Sequence, residues 1–288
     1  MDLRNLLKIE LKKAFQNKVF LLMLGVGVLI AMLSVIQNLP KYYQSLQNHA
    51  YAAQKGMQIN PMLPMFTPYS NWIGSDFQFS MTPLFYTLFP LLACLAYGWS
   101  YFGERKSGYV MNVAVRTSKK SQYFLAKYIA VFLSGGVVVA LPILLNFLVI
   151  SCFIPAYQPD LFYDTYYGVF SHFLREWFYA MPLLFVAAIL AINFIFGGLL
   201  AACSMAITFF VKNKFAVVLL PFMALFGVQY LQDNVWFFLS ETYISPMDFL
   251  RGYSLNIISG FVILLWGSLL LLATLGIVWG KGARDDVL

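Results

Sequence analysis

The chain has 288 residues, of which 61% are hydrophobic and only 11% carry charge. Soluble domains carry roughly 25% charged residues, so this composition excludes a fold bathed in water and makes lipid the expected solvent. The net charge of +7 raises nucleic acid as a partner, but the charges gather on one side of the predicted spans, where anionic headgroups account for them.

Residues 1–18 place Leu3, Leu7 and Leu11, with Leu6 and Phe15, at helical spacing and Lys8, Lys12 and Lys13 on the flanks. The pattern predicts an amphipathic helix in the inner headgroup plane, apolar side down. Uncharged windows then run over 19–40, 77–103, 128–159, 177–211, 215–232 and 252–280. About 20 apolar residues cross a bilayer as helix. The windows therefore predict six spans, at about 19–37, 83–102, 127–151, 181–210, 215–231 and 257–279. A small-x-small site within His49–Ala53 lies too far past the first apolar run for signal-peptide geometry, so 19–37 reads as a retained span.

The segments between spans differ in character. The first outer segment, 38–82, holds Pro40, Pro61, Pro64 and Pro68, and predicts an ordered but irregular cap with a helical piece at Tyr42–Lys55. Trp177, Phe178 and Tyr179 form an interfacial aromatic belt. The segment 232–256 mixes Asp233, Glu241 and Asp248 with apolar patches, which suits short extracellular re-entrant helices before the sixth span. Six spans put both termini on one side. The segments 1–18, 103–127, 211–214 and 280–288 hold 15 of the 19 Lys and Arg residues, so that side is cytoplasmic. The reading is an all-α integral membrane protein, a single transmembrane domain over 1–288, N-in and C-in, with a cytoplasmic loop at 103–126.

Most catalytic chemistries fail on the residues. Gly98 and Gly103 stand at phosphate-loop spacing, but Glu104 and Arg105 occupy the positions of the required Lys and Ser/Thr, and the stretch finishes a span. The chain is expected to bind no nucleotide and no metal itself. Gly252-Tyr253-Ser254 lacks the second glycine of a nucleophile turn, and His49 and His172 both fall outside the spans. The windows contain no carboxylate for an ion or proton pump. Asn146 and Asn193 lie near mid-membrane, as interhelical hydrogen bonds or as the lining of a substrate path. Gly197 with Ala201, Gly198 with Ala202, and Gly276 with Gly280 stand four apart and predict close helix packing, within the subunit or across a dimer. Cys94, Cys152 and Cys203 sit in apolar runs and read as small packing residues.

The cytoplasmic loop carries a resemblance. Glu104-Arg105-Lys106 is followed by Gly108, a short amphipathic stretch with Val110 and Val113, a break at Arg116-Thr117-Ser118, then Lys119-Lys120 and Tyr123 leading to Lys127. This resembles the loop between the second and third spans of type-2 permeases of ATP-binding-cassette transporters, with an E-R/K-x-x-G opening and a Y-x-x-x-K entry to the third span. That family often has proline in the break, where this chain has none. The stretch 197–222 and the Ser245-Pro246 element are similar to further stretches of bacterial members. The resemblance implies a dimer, homo- or heteromeric, with two copies of a separate ATPase that carries ATP and Mg. It implies that the loop couples ATPase movement to the spans, in the bacterial cell membrane, exporting an amphiphile such as a peptide antibiotic, a lipid-like molecule or a drug. A six-span scaffold or sensor subunit without a transport path is the alternative from another class.

Overall fold

A computed structural model of the chain describes residues 3–57, 66–76, 81–116, 120–159, 172–238, 240–253 and 257–284. Six helices in it are long and apolar enough to cross a membrane, and among the described residues there is no strand, only isolated bridges from Ile257 to Thr242 and from Ile258 to His172. The chain is a multi-pass helical membrane protein.

Helix α1 (Leu3–Phe15) is followed by α2 (Lys18–Gln54), capped by the Asn17 side chain, which accepts from the Val19 amide at 2.9 Å. The second spanning helix is built from α3 (Met81–Ala93), a π-helical turn at Cys94–Gly98, and α4 (Ser100–Lys106). Next come α5 (Tyr109–Arg116), α6 (Lys120–Phe153), α7 (Arg175–Ala180), α8 (Pro182–Ile207) and α9 (Lys214–Asn234). A 3-10 turn at Trp236–Phe238 and the one-turn α10 (Pro246–Phe249) precede α11 (Gly260–Arg284).

Each predicted span coincides with a helix, but the ends differ. The helical piece expected at Tyr42–Lys55 is the continuation of α2, which runs unbroken for 37 residues with Pro40 inside it. Proline costs a helix one backbone hydrogen bond, and Pro40 stands on the exposed side of α2. Asn38 is fully buried and donates to the Asn71 carbonyl at 2.9 Å. Pro61 and Pro64 lie outside the described residues. The stretch 66–76 is irregular, as expected, and buried. Trp72 and Ile73 have no exposed surface, and the Trp72 ring meets Phe147 edge-on at 5.2 Å.

The centre of the bundle is α6 against α8. At Gly135 a β-carbon would stand 2.4 Å from the Ala201 β-carbon and 2.6 Å from the Gly197 carbonyl oxygen. At Gly198 it would meet the Phe132 ring at 2.7 Å. The fourth-span stripe of small residues is thus consumed within the subunit, where absent side chains let two backbones touch. Gly276 and Gly280 on α11 have nothing within 4 Å.

Asn146 and Asn193 both act as fasteners. The Asn146 amide donates to the Ala31 carbonyl on α2 at 2.6 Å, and its oxygen accepts from the Ile73 amide at 2.8 Å. It therefore joins α6 to α2 and to the buried cap. The Asn193 amide donates to Leu250 O at 2.9 Å. Trp266 on α11 donates to Ile244 O at 2.7 Å, and the Gln229 amide on α9 reaches Asp248 at 3.2 Å. Three spans thereby hold the segment 240–253.

Asp248 in that segment and His172 against Arg251 are both shifted from their ordinary ranges. Burial, countered in part by the Gln229 hydrogen bond, pushes the Asp248 carboxyl up to about 6. Burial pushes His172 down to about 4. Folding favours protonated Asp248, a contribution present below the ordinary carboxylate range and lost as pH rises through about 6. Folding favours neutral His172, a contribution present above about 6.5 and lost as pH falls toward 4. The two oppose each other between pH 4 and 6. Asp248→Asn is expected to raise thermal stability at pH 7 and to steepen its loss on acidification. Superimposable pH–stability curves for variant and parent would overturn this.

Candidate functional site

The charged residues of the loop do not stay together. Glu104, in the last turn of α4, points into the protein, whereas Arg105 and Lys106 are exposed. Helical geometry separates adjacent side chains by about 100°, so one short cluster serves two surfaces.

Glu104 enters a buried ion network. Its Oε2 accepts from the Tyr123 hydroxyl at 2.6 Å and lies 2.9 Å from Lys127 Nζ, while its Oε1 lies 3.1 Å from Lys13 Nζ. Lys127 has no exposed surface. It also donates to Glu10 Oε2 at 2.9 Å and to the Tyr97 hydroxyl at 3.0 Å. Tyr97 donates in turn to Glu10 at 3.2 Å, and Glu10 pairs with Lys13 at 2.9 Å. Two carboxylates and two ammonium groups make the network neutral. Three separate elements contribute: α1, the second spanning helix, and the first turns of α6.

Local structure explains the convergence. Tyr123 and Lys127 stand four apart on one face of α6. Tyr97 belongs to the π-turn, which takes one extra residue and re-aims the side chains beyond it. Phe85, Phe89, Ala93, Tyr97 and Tyr101 are all buried at intervals of four. A straight α-helix would rotate such a series progressively off one face, and the extra residue restores it. Gly108, at φ +72°, sits in the left-handed region that closes α4 and starts α5.

Helix α1 forms over Leu3–Phe15 as expected, with protein along its apolar line. Its inward line is Leu6, Glu10 and Ala14, with Leu3, Leu7 and Leu11 half-buried beside them against protein. The reason is the length of α6, which begins at Lys120, well before its apolar part, and offers α1 a protein surface. Lys13 is half-exposed. Burial works against its charge, but contact with Tyr109, whose ring centroid is 3.8 Å away, and the carboxylates of Glu104 and Glu10 hold it above the ordinary lysine range.

Val110 and Val113 turn inward, 3% and 9% exposed, and pack in the apolar cluster that contains Leu6 and Tyr123. Among the described side chains of α5, Met111, 42% exposed, and Asn112 face outward. Arg116 ends α5, Lys120 begins α6, and Lys119 lies outside the described residues. Sequence reasoning missed Glu10, Lys13 and Tyr97. The available signal was Glu10 itself, a carboxylate four residues from both Leu6 and Ala14 on an otherwise apolar line. The chain matches no family model, no curated protein and no solved structure.

Proposed function

We propose that the chain is the permease subunit of an ATP-driven exporter of the type-2 ATP-binding-cassette class, with both termini in the cytoplasm, working as a dimer beside two copies of a separate ATPase. The observation that carries this reading is the buried network joining α1, α4 and α6 directly beneath α5. A partner that moved α5 would act on two spanning helices through one rigid, ionically welded block. Buried ion pairs are poor sources of stability, and we read this one as fixing the geometry of a coupling element. The substrate is an amphiphile, a peptide antibiotic, lipid-like molecule or drug, because the spans offer apolar walls and fastened asparagines. The short helices at 236–238 and 246–249 are read as re-entrant on the outer side.

The partner meets the outward face of α5. Met111→Asp is expected to reduce ATPase association about tenfold or more and to abolish transport, while thermal stability stays within about 0.5 kcal/mol of the parent. Val110→Asp is expected to lower stability instead, since it buries a charge. Full transport by the Met111→Asp protein reconstituted with its ATPase would refute the coupling assignment.

A further inference from the structure

Arg105 and Lys106, turned away from the network, line a second feature. With Lys212, Thr208, Phe102 and Phe210 they surround a cavity of about 420 Å³ between the end of α4 and the turn joining α8 to α9. More cations stand around it. Lys281 Nζ lies 3.6 Å from the Phe210 ring centroid, and Lys214 Nζ lies 3.7 Å from that of Trp99. Four spanning helices reach their ends here, at Lys106, Ile207, Lys214 and Arg284. The cavity therefore lies at the depth where hydrocarbon gives way to headgroups.

A second cavity of about 380 Å³ opens between α8, α9 and α11. Leu200, Cys203, Ile207, Leu220, Leu270 and Ile277 line it, nearly all apolar. The basic and apolar cavities meet the chain at consecutive residues, Thr208 and Ile207. Phe210 and Phe215 are 59% and 78% exposed beside them. An acidic protein segment would match the cations but would leave these rings and the groove uncovered. An amphiphile with an anionic head matches both.

We infer that the basic cavity holds the headgroup of an anionic glycerophospholipid, its phosphate among Arg105, Lys106 and Lys212, with one acyl chain in the groove between α9 and α11. Lysines and arginines at an anionic surface each add to such binding, and aromatic rings anchor at the interface. The lipid would wedge the α8–α9 turn against α4, next to the block that the proposed coupling moves. Its assignment to the inner leaflet rests on the N-in reading, but binding itself does not.

The test uses full-length protein in neutral detergent, titrated with phosphatidylglycerol or phosphatidylcholine of matched chains and read by native mass spectrometry. One phosphatidylglycerol is expected per chain, bound roughly 10- to 30-fold more tightly than phosphatidylcholine. Lys106→Gln/Lys212→Gln should erase that preference, while Lys8→Gln, on the exposed side of α1, should keep it. Lys212→Gln alone is read in the same way if the double variant does not fold. Unchanged preference in the variants overturns the proposal, as does equal binding of the two lipids by the parent. Competition by inorganic phosphate as effective as that by short-chain phosphatidylglycerol would reduce the site to a simple anion site. Loss of ATPase association with lipid binding intact would make it a protein-docking surface, and either result sinks the lipid assignment.

Discussion

Lys127→Met is expected to destabilise the protein by about 3–5 kcal/mol, the usual cost of removing one partner from a buried ion pair. Lys127 has no exposed surface, and both Glu10 and Glu104 rest on it at 2.9 Å. Methionine fills nearly the same volume, so little of the loss comes from packing. What remains is two carboxylates sharing Lys13, a cation at the partly exposed edge of the network. The measurement is thermal or denaturant unfolding in a single detergent. In a Glu10→Gln/Glu104→Gln background the same change should cost far less, because no charge is left stranded. An equal cost in both backgrounds would show that Lys127 matters for its bulk alone.

Gly135→Ala is expected to cost about 1–3 kcal/mol despite adding one methyl group and a better helix former. The new carbon would stand 2.4 Å from Ala201 and 2.6 Å from backbone at Gly197. Neither neighbour is the free end of a flexible side chain, so α6 and α8 must part. Gly276→Ala on α11 supplies the comparison. Its β-carbon meets nothing within 4 Å, and the change should be neutral or mildly favourable. The same unfolding assay reads both, and equal stabilities would contradict the close approach of α6 to α8.

The six spans were legible because charge is expensive in hydrocarbon and its absence marks the windows directly. Their ends were harder. Pro40 and the polar Asn38 read as the exit from the first span, yet α2 passes through both, since Asn38 finds the Asn71 carbonyl in a cap far along the chain. The network was half legible. Glu104, Tyr123 and Lys127 stood out in the loop, but Glu10 reaches them only by tertiary packing of α1 on α6, across 117 residues of sequence from Lys127. Val110 and Val113 were visible as one face of a short helix. Periodicity identifies such a face without saying whether it meets the protein itself or a partner. Asn146 read as a fastener between helices ahead of the lining of a path, and the contacts to Ala31 O and Ile73 N show the fastening.

The π-turn at Cys94–Gly98 has a mechanical consequence. Before it the second spanning helix is keyed to the core through Phe85 and Phe89, and within and after it the rod is keyed to the ion network through Tyr97 and Glu104. A continuous α-helix would lock these two sets of contacts into one fixed phase, and the extra residue re-phases the side chains between them.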